Sequence, residues 1–198
     1  MIDYLESIDR LIVEIVNGWN TPFLDEFMWY VSAKTPWIPF YLTLLFLSFR
    51  KVGWKETVVF LFTVIVGVVI ADLLSTHAFK NVFERFRPSH HMELTDKLHF
   101  YQFEDGSFYK GGMFGFLSAH AANFFMICAL SSWHLKAYYS KIPFVLIPVA
   151  ILVSFSRIYL GVHYLTDVIA GAVLGTSIAF VMYRYVFVNI VYRSSNHE

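Results

Sequence analysis

The sequence predicts an all-α fold: an integral-membrane helical bundle of five transmembrane helices, or six if the N-terminal segment also crosses, with an interfacial amphipathic helix at the N-terminus. Three observations carry that prediction. Hydrophobic residues make up 57% of the 198-residue chain and charged residues only 15%, with a mean hydropathy of +0.55; soluble domains sit at roughly 45–50% apolar. Aromatics reach 19%, with 21 Phe, 12 Tyr and 5 Trp, which suits a surface meeting both lipid tails and headgroups. Long charge-poor runs also alternate with short polar punctuation, and a hydrocarbon core about 30 Å thick needs roughly 20 helical residues. The length suits one domain, 1–198. The composition excludes intrinsic disorder and argues against an ordinary soluble enzyme.

In residues 1–34, Ile8, Leu11, Ile12, Ile15 and Val16 share one helical face, while Glu6, Asp9, Glu14 and Asn17 interrupt any run that could span. A helix lying on the membrane accounts for both features. Acidic residues where an apolar core would sit exclude a signal peptide. Spans are predicted over 35–49, 57–79, 113–133, 142–155 and 165–191. The first and fourth are short, so they must tilt, thin the bilayer or extend into their flanks. The polar stretch 84–112 reads as a cap over one face, and Gly171-x3-Gly175 permits close helix approach.

Arg50, Lys51 and Lys55 join the first two spans, Lys136 and Lys141 join the third and fourth, and Arg184 and Arg193 end the chain. The positive-inside rule makes these ends cytoplasmic and puts the N-terminal segment, the 81–112 loop and the 156–164 turn outside. A bacterial periplasm or an organelle lumen would both fit that outer side. Fifteen Lys plus Arg balance fifteen Asp plus Glu, so no nucleic-acid partner is expected; the partners are membrane lipids. The lone Cys128, in an apolar run, cannot close an intramolecular disulfide.

Charged residues at the ends of membrane helices are expensive and point to function. Lys80 and Arg87, then Ser118-Ala119-His120, then Arg157, His163 and Asp167 all map to the outer ends of four spans or the loop beside them. Two arginines and a lysine without matching acids suit a polyanion, and the guanidinium fork matches phosphate oxygens. A helix start at Ser118 and Ala119 would add free backbone N–H donors. His163 and Asp167, four apart, would be neighbours on one helical face. The carboxylate then accepts from one ring nitrogen and leaves the other to attack. His120 would protonate the leaving oxygen and afterwards activate water.

Lys80-x6-Arg87-Pro88, Ser118-Ala119-His120 and Ser156-Arg157-x5-His163-x3-Asp167 together resemble the tripartite signature of the type 2 phosphatidic acid phosphatase (PAP2) superfamily. The resemblance covers the catalytic stretch 80–167. It implies a metal-independent membrane phosphatase acting on a lipid phosphate or diphosphate, with no cofactor. Within the family's range, undecaprenyl diphosphate stands slightly ahead of phosphatidylglycerol phosphate, phosphatidic acid and lipid A 1-phosphate. The resemblance also implies that His163 forms a phosphohistidine, Asp167 supports it and His120 is the general acid. Lys80, Arg87, Ser118, Ala119 and Arg157 would hold phosphate oxygens. Leu117 and Ala119 replace the family's Pro and Gly, and Ala119 can still offer its backbone N–H.

The remaining polar residues read differently. Asp72 lies about 12 Å deeper than Lys80 along a helix and is expected to pair with an amide such as Asn123. His77 is a candidate for the pocket wall. Arg85, Lys97 and Lys110 fit no motif position and are expected to contact solvent or headgroups. His90, His91 and His99 match no standard metal spacing, and no metal requirement is predicted. Two rival functions have distinguishing assays. Vanadium-haloperoxidase-like chemistry predicts halide oxidation with added vanadate. A transporter using Asp72 and the cationic ring predicts flux that survives His163→Ala.

Overall fold

A computed structural model describes residues 2–195, and among them the architecture is helical, with no strand and only isolated bridges in the long loop. Six principal helices follow one another: α1 (Ile2–Asn17), α2 (Pro22–Ser32), α3 (Ile38–Leu73), α4 (Ala119–Leu135), α5 (Ile142–Tyr159) and α6 (Leu165–Val181). Wider turns extend α3 through Leu74–Lys80 and α6 through Met182–Phe187.

α3 contains two crossings. Gly53 breaks the helix with φ 77° and ψ −176°, a conformation that favours a residue without Cβ. Ser48 Oγ lies 3.0 Å from Thr57 Oγ1. Nine residues along a straight helix would separate them by about 13.5 Å, so the chain reverses at Gly53. The two limbs return antiparallel, and with α4, α5 and α6 they make five crossings. Stretches Thr35–Phe83, Ile142–Tyr159 and Leu165–Arg193 are long and apolar enough to cross a membrane. Their outward faces carry Leu42, Phe46, Phe62, Ile65, Val173 and Phe180, each more than half exposed, as a lipid-facing surface requires.

The third predicted span needs correction. Helix α4 starts at Ala119 rather than 113, because Ser118 caps it: its hydroxyl oxygen accepts from Ala121 N at 3.4 Å, and residues 113–118 stay non-helical. α4 is the central helix, packed against α6, α5 and α3, with Met126 and Leu130 fully buried. The α4–α6 contact is a backbone approach. A Cβ on Gly175 would stand 2.0 Å from the Ala122 carbonyl oxygen, and one on Gly171 would stand 2.4 Å from that of Ser118. The glycine pair therefore serves packing within the bundle.

The N-terminal segment forms two helices of 16 and 11 residues, each shorter than a span. α1 is more than a surface float. Asn17 is buried, with Nδ2 donating to the carbonyls of His99 (2.7 Å) and Tyr159 (2.8 Å) and Oδ1 accepting from His99 N. At the opposite end of the bundle, His134 Nε2 meets Ser48 Oγ at 2.8 Å, and the Lys51 ammonium lies over the Tyr139 ring at 5.5 Å. The basic hairpin at Gly53 and the basic α4–α5 turn thus share the end away from the motif residues.

Candidate active site

Three local structures bring the motif residues together. Lys80 ends the wide turn that extends α3. Arg87 sits in the long loop, with its N–H bonded to Met113 O (3.0 Å) and its Nε donating to Phe114 O (3.0 Å). The loop wraps Arg87 closely. A Cβ on Gly111 would come within 2.9 Å of its Nη1, and one on Gly115 within 2.9 Å of its Cγ. Arg157 closes α5, and Gly161 (φ 67°) turns the chain so that His163 faces back.

Lys80, Arg87, Ala119, His120, Arg157 and His163 line one cavity of about 630 Å³. Arg87 Nη1 is 3.3 Å from His163 Nε2. A guanidinium only donates, so that nitrogen carries a lone pair and the ring proton sits on Nδ1. Nδ1 faces Asp167 Oδ2 at 3.4 Å. Burial, followed by the charges of Arg87, Arg157 and Lys80, holds His163 well below the usual imidazole range, so the ring is neutral. Burial, followed by Arg157, pulls Arg87 down to about 10, which leaves it charged at neutral pH.

Arg157 is 2% exposed. Its Nη1 donates to Ser32 Oγ of α2 and its Nη2 to the Tyr109 hydroxyl at 2.8 Å. Its Nε is buried without a hydrogen-bond partner among the described residues. Among the described residues the hydrogen-bond partners of Arg87 and Arg157 are all neutral groups, so the charge of both guanidiniums bears on the cavity they line.

Several expectations change. Ser118 is fully buried, and its N–H is taken by the Asp167 carbonyl at 3.0 Å, so it caps α4 instead of offering a free donor. Ala119 and His120, at the start of α4, keep N–H groups without intrahelical acceptors and line the cavity. His163 and Asp167 do not share a helical face. α6 begins at Leu165, and Asp167 reaches back to accept from Tyr164 N at 3.0 Å, a capping contact that also presents Oδ2 to His163.

Arg85 was expected to contact solvent or headgroups, but it is held by buried carboxylates. Nη1 donates to Asp167 Oδ1 (2.9 Å) and Thr166 Oγ1 (2.8 Å), Nη2 donates to Asp9 Oδ2 (2.7 Å), and the guanidinium lies 4.2 Å from the Tyr164 ring centre. Lys110 also turns inward, over the Phe100 ring at 5.0 Å, whereas Lys97 meets Glu14 at an exposed site. His77 is exposed, and Asn123 Nδ2 donates to Asp72 Oδ1 at 2.9 Å. The sequence reading missed Lys34, which lies between α2 and α3 on the cavity wall. It also missed Ser32 and Tyr109, the partners of Arg157. No motif spacing marks them.

Beyond the cationic end, the cavity continues between the two limbs of α3 and α4. Tyr41, Leu45, Phe60, Val64, Val68 and Ile127 line this apolar branch. From Asp72 to Phe60 it runs about 18 Å along the helix.

Comparison with known proteins identifies the family and the fold. The family model for the PAP2 superfamily matches residues 56–190. The chain is 34% identical over 184 residues to lipid A 4'-phosphatase of Porphyromonas gingivalis, covering 92% of this chain and 75% of that protein. It is 29% identical over 181 residues to lipid A 4'-phosphatase of Bacteroides thetaiotaomicron, covering 88% and 75%. The first transmembrane PAP2-type phosphatidylglycerolphosphate phosphatase from Bacillus subtilis shares the fold at TM-score 0.66 and 22% identity, over 90% of this chain and 84% of that one. Aquifex aeolicus LpxE does so at TM-score 0.62 and 22% identity, over 90% and 96%. The chain belongs to the PAP2 superfamily, as one of its integral-membrane lipid phosphatases.

Proposed function

We propose that the whole chain forms one domain that removes a phosphate monoester from a phosphorylated glycolipid of the lipid A type, at the outer face of a bacterial inner membrane. The names of the two curated relatives favour this substrate, and in particular the 4'-phosphate, over undecaprenyl diphosphate. The apolar branch of the cavity suits an acyl tail entering from the bilayer, with the phosphate at the cationic end.

The reading rests most on the 3.3 Å approach of Arg87 Nη1 to His163 Nε2, a neutral imidazole nitrogen with its lone pair on an anion-binding cavity. In the first step Nε2 attacks phosphorus, the P–O bond to the sugar breaks, and His120 gives its proton to the departing oxygen. Lys80, Arg87 and Arg157 offset charge on the three equatorial oxygens. In the second step water attacks phosphorus, the P–N bond breaks, and His120 takes the water's proton. Phosphate then leaves and both histidines return to their starting states. Asp167 accepts from Nδ1 throughout and stabilises the charge that His163 gains.

The deciding experiment measures phosphate release from bisphosphorylated lipid A, lipid A 1-phosphate, undecaprenyl diphosphate and phosphatidic acid in detergent with EDTA. Release from bisphosphorylated lipid A should persist in chelator and vanish in His163→Ala and His120→Ala. Loss with EDTA and recovery with a divalent metal would overturn the mechanism. Faster release from undecaprenyl diphosphate than from either lipid A species would overturn the substrate assignment.

A further inference from the structure

We propose that Arg85 and Asp9 act as a positioning pair that fixes the Asp167 carboxylate, and through it the His163 ring, so that the N-terminal helix α1 is part of the catalytic apparatus. This rests on the reading of His163 as the nucleophile.

Asp9 and Asp167 are 1% and 0% exposed. A buried carboxylate costs several kcal/mol unless it is paired and hydrogen-bonded. A single guanidinium serves both: Nη2 takes Asp9 Oδ2 at 2.7 Å and Nη1 takes Asp167 Oδ1 at 2.9 Å. Asp9 Oδ1 accepts from Thr166 N at 3.0 Å, and Oδ2 also meets the Thr166 hydroxyl. Residue 9 is thereby stitched to the first turn of α6, next to Asp167 in the chain.

The division of labour on Asp167 carries the inference. Arg85 occupies Oδ1, whereas His163 Nδ1 and Tyr164 N face Oδ2. Holding Oδ1 fixes the rotation of the carboxylate and leaves Oδ2 aimed at the ring. It also favours the ionised carboxylate, a stronger acceptor for Nδ1–H than the protonated acid. Asp9 has the matching task for Arg85. A cavity of about 670 Å³ opens beside Asp9, Arg85 and Thr166 on the outer surface. Without Asp9, the long arginine side chain can swing into that opening toward water.

Burial works against the charge on Asp167, and Arg85, Arg87, His163 and Tyr164 face it. Removing Arg85 alone deletes the closest cation. The carboxyl should then take up its proton at higher pH, and the acid limb of kcat should follow.

The test is steady-state kinetics on bisphosphorylated lipid A across pH, with thermal unfolding in the same detergent. Arg85→Ala and Asp9→Asn should lower kcat by about 10- to 100-fold, the range for outer partners of a working histidine. KM should change by less than about twofold, because the lost contact acts on the reacting group and not on binding. The acid limb should move to higher pH in Arg85→Ala, and Arg85→Lys should recover part of kcat. Asp9→Asn is isosteric and carries the test if Arg85→Ala does not fold. Asn17→Ala, which loosens α1 at its other end, controls for simple undocking and should leave the acid limb in place. A folded Arg85→Ala or Asp9→Asn with wild-type kcat would overturn the proposal, as would an acid limb moved equally by Asn17→Ala. Activity surviving in His163→Ala would instead remove the nucleophile assignment itself.

Discussion

Arg87 and His163 meet as donor and acceptor: Nη1 stands 3.3 Å from Nε2, and because a guanidinium cannot accept, the imidazole must be neutral with its Nε2 lone pair facing Nη1. The arrangement puts positive charge beside a titratable ring, and it has a consequence for pH. Burial and three cations hold His163 below the usual range of about 6.5. As pH falls through about 6.5, the unfolded chain gains a proton at residue 163 that the folded chain refuses, so folding loses up to about 1.4 kcal/mol per pH unit. Above that pH the contribution is constant. The melting temperature of the wild type should therefore drop more steeply between pH 6.5 and 5 than that of His163→Asn, which has no such proton. Parallel curves would show that the ring is not held neutral.

Gly115 sets the spacing between Arg87 and Asp167, the two side chains on either side of His163. A Cβ there would lie 2.9 Å from Arg87 Cγ and 3.3 Å from Asp167 Oδ2. Gly115→Ala should leave the bundle folded, since the contact lies in the loop, while shifting Arg87 and the carboxylate by a few tenths of an ångström. A misplacement of about 1 Å costs about 100-fold, so this smaller shift in the neighbours of His163 should lower kcat by about 3- to 10-fold. Phosphate release and circular dichroism on one preparation check this, and wild-type turnover would show that the loop yields instead of the site.

Much of this was legible in the sequence, for physical reasons that differ by residue. The hairpin at Gly53 follows from basic punctuation between two apolar runs, which marks a membrane boundary whatever the packing. Lys80, Arg87, His120, Arg157 and His163 were visible because a polar residue at a membrane helix end is conspicuous. Arg85 was not, although it lies two residues from Arg87. Its partners are residues 9 and 167, and a contact across that separation leaves no local pattern. Asp9 was legible only as an interruption of the apolar run. An amphipathic pattern shows that α1 has an apolar face, but it does not show which guanidinium pairs with an acid beside it. The Ser118 N–H was misassigned because the capped helix start hid a tertiary acceptor, the Asp167 carbonyl.

Gly175 makes the tightest contact between α4 and α6, with its Cβ position 2.0 Å from the Ala122 carbonyl oxygen. The obstacle is backbone, so no rotamer change relieves it. Gly175→Val should force the helices apart and lose more than the about 1–3 kcal/mol of ordinary overpacking. The expected result is little folded protein in detergent, read by size-exclusion profile and thermal unfolding. A folded Gly175→Val with an unchanged melting temperature would mean that the helices separate at little cost.

The apolar branch between the α3 limbs and α4 makes a prediction about chain length. Val64 and Val68 line it one helical turn apart on the second limb of α3, below Lys80 and opposite Ile127. A tail lying there gains dispersion contacts with the wall along its length, about 0.1–0.2 kcal/mol for each pair of heavy atoms, so a long acyl chain should bind better than a short one carrying the same phosphate. Val68→Trp would fill the branch near its mouth without touching Arg87, Arg157 or His163. The preference for long over butyryl chains, measured as the ratio of kcat/KM on phosphatidic acids, should fall by at least about tenfold, equivalent to about 1.4 kcal/mol of lost contact. If the ratio in Val68→Trp matched the wild type, the tail would have to lie on the lipid-facing surface of the bundle instead, and the cavity would serve the headgroup alone.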